Sequence, residues 1–108
     1  MVWLWVELVR HYFTRYLNRK KINMNSFEGT IIDVRTPAEF MGGHVVGSLN
    51  IPLQNIIDHV EEIKQMKEPI IFCCASGNRS GQAAHYFKSL GVNCENGGSW
   101  LDVQGSLS

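Results

Sequence analysis

Cys74 stands where the apolar run Ile70-Ile71-Phe72-Cys73 gives way to a small polar loop, Ala75-Ser76-Gly77-Asn78-Arg79, which leads directly into a helical segment at Ser80. So short a loop curls around a point, and Gly77 tolerates the positive backbone angle that a tight curl demands. Its amide hydrogens then converge on one anionic atom, as in a nest, and the following helix adds the positive end of its dipole. A thiol at that focus ionises readily, because cysteine pKa values fall from about 8.5 to roughly 3.5–7.5 beside helix N-termini and cations such as Arg79. Most cysteines are simply small buried apolar residues. The loop and helix that follow Cys74 separate it from that class and mark it as a nucleophile at neutral pH.

The remaining chemically able residues carry weaker signals. Asp33 and Arg35 fall at the end of the first buried run, Glu39 follows them, and His44 lies in a Gly-Gly-His turn. Their ordinary use is hydrogen bonding and pairing that hold loops in place. A thiolate already stabilised by its loop needs no general base, so His44 is not required for catalysis. Three cysteines are an odd number, and Cys73, Cys74 and Cys94 lack paired zinc-ligand spacing. A disulfide scaffold and a structural metal are unexpected, and a reducing cytoplasmic compartment fits.

The elements that must position these residues alternate along the chain. Thr30–Val34 and Ile70–Cys73 read as buried strands, with shorter strands at Val45–Asn50 and Val92–Cys94. Helices are predicted at Pro37–Met41, with Thr36 as cap, at Leu53–Met66 and at Ser80–Leu90, the last stopped by Gly91. Strands alternating with helices at this spacing predict an α/β fold with a parallel sheet covered on both faces. Along Ile70–Cys73, alternation places Cys73 with Ile71 on one face and leaves Cys74 to open the loop.

The 108 residues, 44% of them hydrophobic, suit one compact domain, and the formal net charge is zero. That balance is uneven: residues 1–21 carry five Lys/Arg against Glu7, so residues 22–108 are net −4. Nucleic acid is therefore not an expected partner of the main body. Residues 2–18 have the spacing of an amphipathic helix, and the chain divides into that segment (1–21) and the domain proper (22–108). The run MVWLWVELV is too short to span a bilayer. The basic, aromatic segment 1–21 instead suits packing on its own domain, a homodimer contact or a peripheral membrane surface.

Cys74-Ala75-Ser76-Gly77-Asn78-Arg79-Ser80 resembles the active-site loop of the rhodanese family. Asp33-Val34-Arg35-Thr36-Pro37-Ala38-Glu39-Phe40, then Gly43-His44-Val45-Val46-Gly47-Ser48-Leu49-Asn50-Ile51-Pro52, resemble the family's first signature, and Asn96-Gly97-Gly98-Ser99-Trp100 its closing glycine pair and tryptophan. The resemblance covers about residues 30 to 102. It implies a parallel five-stranded sheet between helices and a persulfide cycle that needs no cofactor. In that cycle Cys74 takes sulfur from a small-molecule donor such as thiosulfate and passes it to a thiol or cyanide-like acceptor. Ala75, Ser76, Gly77, Asn78, Arg79 and Ser80 would bind the anionic groups, with Asp33, Arg35, Glu39 and His44 supporting the site. Ala75 occupies a position where thiosulfate-using relatives often have a basic residue. Two alternatives stand beside this reading: a non-catalytic rhodanese-like interaction module, and a phosphatase in which Cys73, one residue further from Arg79, is the nucleophile.

Overall fold

The computed structural model describes residues 27–107, so the amphipathic segment expected over 2–18, its domain boundary and its contacts lie outside the described residues. Four parallel strands, β1 (Thr30–Asp33), β2 (Leu49–Asn50), β3 (Ile70–Cys74) and β4 (Cys94–Ser99), form one sheet. Their order is β2-β1-β3-β4, so among the described residues the sheet has four strands where the resemblance implied five. The central pair is in register from Thr30 opposite Ile70 to Asp33 opposite Cys73. β3 is apolar throughout and β1 buries Ile31, Ile32 and Asp33, as expected of a sheet covered by helices on both sides.

β2 is shorter than the predicted Val45–Asn50. The Ser48 N–H and hydroxyl both donate to the Val45 carbonyl, at 3.0 and 2.6 Å, and Gly47 has φ 84°, so the first four residues form a turn. β4 runs later than the predicted Val92–Cys94 and takes in the glycine pair. Glycine weakens a strand, yet here it is sterically required: a Cβ on Gly97 would lie 2.7 Å from both Ile71 Cγ2 and Val103 Cγ2. Gly97→Ala is therefore expected to cost about 1–3 kcal/mol through overpacking, measurable as a lower urea midpoint with an unchanged slope.

Helix α1 (Pro37–Met41) has the Thr36 cap, completed by Glu39 into a reciprocal capping box. The single helix predicted over Leu53–Met66 is instead a 3-10 segment, Leu53–His59, followed by α2 (Val60–Lys64). Asn55 and Asp58 favour local hydrogen bonds over α-helix, and Asn55 N–H reaches back only three residues to Pro52. Helix α3 (Asn78–Ser89) starts two residues before the predicted Ser80, and Gly91 (φ 85°) follows its end as expected. The sequence gives no signal for helix α4 (Trp100–Leu107): Gly105 and Ser106 obscure a pattern whose buried residues are only Val103 and Leu107.

Strand alternation sorts the core into two clusters. Ile32, Val34, Phe72, Cys74 and Cys94 pack with Ile56, Ile63, Ala83, Ala84 and Phe87 from the 3-10 segment, α2 and α3. Ile31, Ile71 and Cys73 pack on the opposite face with Val45, Val103 and Leu107. Adjacent cysteines thus point to opposite sides of the sheet, as the period of two requires. Among the described residues no helix is long and apolar enough to cross a membrane.

Candidate active site

The loop after β3 closes onto the Cys74 sulfur. Gly77 adopts the left-handed conformation (φ 96°) and caps α3 without a side chain to accept from the first turn. Cys74 Sγ fills that role: it accepts from Gly77 N–H at 3.0 Å, Ser80 N–H at 3.4 Å and the Ser80 hydroxyl at 3.3 Å. Burial pushes the Cys74 thiol up, but these bonds, with a further one from Ser76 N–H, outweigh it and the net shift is downward. Hydrogen bonds to the charged form and the helix dipole both favour the thiolate. Cys74 and Ser80 are 0% exposed, while Ala75, Ser76 and Asn78 form an exposed, uncharged rim.

Arg79 does not point into this cradle. Its guanidinium makes a two-pronged pair with Glu39, at 2.8 and 3.0 Å, and ties the loop to α1. Arg79, with Thr36 adding to it, holds the Glu39 carboxyl down at about 2. The Asp33–Arg35 pair lies deeper: Arg35 Nε and Nη2 donate to the Asp33 carboxylate at 2.7–3.0 Å, and Nη2 also reaches the Gly43 carbonyl at 2.7 Å. Arg35 lies 5.0 Å from the Trp100 ring centroid, which links the Gly43 loop to the start of α4. Asn50 Nδ2 donates to the Asp33 and Arg35 carbonyls and fixes the same corner. His44 stacks on Phe40 at 3.7 Å and its Nδ1 donates to the Phe40 carbonyl, a placement that braces its own turn.

The other two thiols are placed for packing. Burial pushes Cys73 up to about 12 and Cys94 up to about 11. Cys73 lies on the face away from α3, so a phosphatase loop built on its sulfur would need the strand to rotate by one residue.

The sequence profile of the Rhodanese-like domain matches residues 13–102. The chain belongs to the rhodanese-like domain family. The rhodanese-like relatives include the thiosulfate sulfurtransferase PspE of Escherichia coli, 31% identical over 74 residues, covering 67% of this chain and 71% of that protein. YqhL of Bacillus subtilis is 43% identical over 61 residues, covering 56% of this chain and 48% of YqhL, so the match spans about half of that protein. The solved structure of a rhodanese-like domain protein from Staphylococcus aureus superposes with a TM-score of 0.66 at 28% identity, covering 85% of this chain and 87% of that one.

One residue of this rhodanese-like domain that the sequence did not single out is Asn96. Its Nδ2 donates to the Gly77 carbonyl at 3.0 Å, its Oδ1 accepts from Gly98 N–H at 3.0 Å, and the same Oδ1, 2.7 Å from Ser80 Oγ, shares the single hydroxyl proton of Ser80 with Cys74 Sγ. From β4 it therefore holds both residues that donate to Cys74. Only its position beside the glycine pair could have flagged it. Asn96→Ala is expected to loosen the Gly77 donor, to move the Cys74 thiol upward and to slow its alkylation at neutral pH by about three- to tenfold, a part of the about 1.5–3 kcal/mol that a hydrogen bond to a charged group contributes. A pH profile of alkylation checks this; a profile superposable on the parent's would show that Asn96 only supports β4.

Proposed function

We propose that this rhodanese-like domain is a sulfurtransferase that carries sulfane sulfur as a Cys74 persulfide. The donor is a compound such as thiosulfate, and the acceptor a thiol or a cyanide-like nucleophile. What carries the reading is the cradle of Gly77 N–H, Ser80 N–H and Ser80 hydroxyl around one sulfur atom. Sulfurtransferases among the relatives support it at the level of the family. With thiosulfate, the Cys74 thiolate attacks the outer sulfur, a new S–S bond forms, the old one breaks, and its electron pair leaves on sulfite. The persulfide anion then takes the place of the thiolate, stabilised by the same donors and the helix dipole. Cys74 is fully buried, which favours a donor that presents a single terminal sulfur atom.

The chain needs no metal or organic cofactor for this chemistry, and a reducing compartment such as the cytoplasm keeps Cys74 available. The test is the intact mass of the full chain after incubation with thiosulfate: a gain of one sulfur, lost on adding cyanide, is expected. A mass that never changes with any sulfane-sulfur donor would favour the interaction-module reading.

A further inference from the structure

Ser80 has one hydroxyl proton and two acceptors within reach of it, Cys74 Sγ at 3.3 Å and Asn96 Oδ1 at 2.7 Å. The other donors to Sγ, Gly77 N–H and Ser80 N–H, belong to the backbone at the start of α3 and cannot turn away. The hydroxyl can, by rotation about a single bond. Asn96 holds its own acceptor still, because Nδ2 is bonded to the Gly77 carbonyl and Oδ1 also accepts from Gly98 N–H. Cys74 and Ser80 are both 0% exposed, so the proton is divided between these two acceptors and not shared with solvent.

Which acceptor holds the proton follows the charge on Sγ, and here the inference rests on the sulfurtransferase reading above. A hydrogen bond to a thiolate is charge-assisted and about twice as strong as one between neutral groups. Loading moves the negative charge to the outer sulfur and leaves Sγ a neutral, weakly accepting atom, so the hydroxyl turns to the amide oxygen of Asn96. Unloading reverses this. With cyanide, carbon bonds to the outer sulfur, the bond between the two sulfurs breaks, its electron pair leaves on Sγ, and thiocyanate departs with the total charge unchanged. As charge grows on Sγ the hydroxyl returns to it. A bond that strengthens as the leaving group forms lowers the barrier to unloading, whereas in loading the same bond is present at the start and has to be given up.

We infer that Ser80 is a catalytic residue of the unloading step: its hydroxyl passes from Asn96 Oδ1 to Cys74 Sγ as the acceptor takes the sulfur, and stabilises the departing thiolate. The proton stays on Ser80 Oγ throughout, and only its direction changes.

The experiment follows the two half-reactions of the full chain separately by intact mass, in the parent, Ser80→Ala and Ser80→Thr. Loading uses thiosulfate, or polysulfide where thiosulfate gives no gain, and unloading uses cyanide on the isolated loaded chain. Each variant is measured at a pH where its alkylation profile shows Cys74 fully ionised. Alanine is a good helix former, and Asn96 Oδ1 keeps its bond from Gly98 N–H, so Ser80→Ala strands neither. Ser80→Ala should unload about tenfold more slowly than the parent, the loss of one hydrogen bond to a forming charge. It should load no more slowly, because a thiolate held by fewer donors has the higher pKa and is the better nucleophile. Ser80→Thr keeps the hydroxyl and should unload close to the parent rate. Ser80→Ala slowed alike in both steps, or unchanged in unloading, would overturn the inference, as would Ser80→Thr unloading as slowly as Ser80→Ala. Any of these in a parent that loads leaves the sulfurtransferase reading standing. A parent that gains sulfur from neither donor sinks that reading and the inference with it.

Discussion

Cys74→Ser is expected to take up no sulfur from any donor, whereas Cys73→Ser should load close to the parent rate. The two residues are neighbours in sequence and opposites in environment. Cys74 Sγ accepts three bonds from Gly77 and Ser80 at 3.0–3.4 Å, and their combined effect outweighs burial to lower its pKa. Cys73 packs with Ile71, Val103 and Leu107, and burial raises its thiol to about 12. At pH 7 a thiol held so far up stays protonated, so it contributes no usable nucleophile. Serine in place of Cys74 keeps the shape but replaces a stabilised thiolate with a hydroxyl that the cradle cannot ionise, and transfer should fall by several orders of magnitude. Iodoacetamide on the native chain at pH 7 should accordingly label Cys74 ahead of Cys73 and Cys94. Equal sulfur loading by the two serine variants would refute the assignment.

Much of this was legible because local rules and global fold agree where the chain is most constrained. Ile70–Cys73 is apolar throughout, so its strand character and the placing of Cys73 on the face of Ile71 follow from periodicity, while the strand itself runs one residue further than predicted, through Cys74. The Thr36 cap, Gly77 and Gly91 are each fixed by a backbone requirement that few residue types meet. What was not legible depended on partners distant in sequence. Arg79 was expected to face the anion, but Glu39, 40 residues earlier, offers a fixed carboxylate that its planar fork matches in two bonds. Asn96 looks like an ordinary turn residue until β4 pairs beside β3 and brings it to Gly77 and Ser80. Helix α4 and the extension of β4 through Gly97 bring Ile71 and Val103 together over a glycine, a packing fact with no local signal. The break at His59 shows the reverse case, where Ile56 and Ile63 kept a helix-like apolar spacing while Asn55 and Asp58 favoured a tighter turn.

The second large effect concerns the pair beneath the site, where Arg35→Ala is expected to destabilise the domain by about 3–5 kcal/mol, the usual result of leaving one member of a buried ion pair alone. Asp33 is 0% exposed, and its carboxylate would keep only the Arg35 backbone N–H, at 3.0 Å, of the bonds it now makes with that residue. The Gly43 carbonyl would lose its 2.7 Å donor, and Trp100 the cation near its ring. For a domain of this size each kcal/mol moves the melting temperature by roughly 4–8 °C, so a fall of more than about 12 °C is expected. Replacing both partners, Asp33→Asn with Arg35→Met, strands no charge and should cost less than Arg35→Ala alone. That ordering separates a desolvated charge from a simple loss of packing, because packing loss would make the double variant the worse of the two. Calorimetry on the parent, the single and the double variant decides it, and a double variant less stable than Arg35→Ala would mean that Arg35 serves the fold through its contacts with Gly43 and Trp100 and not through Asp33.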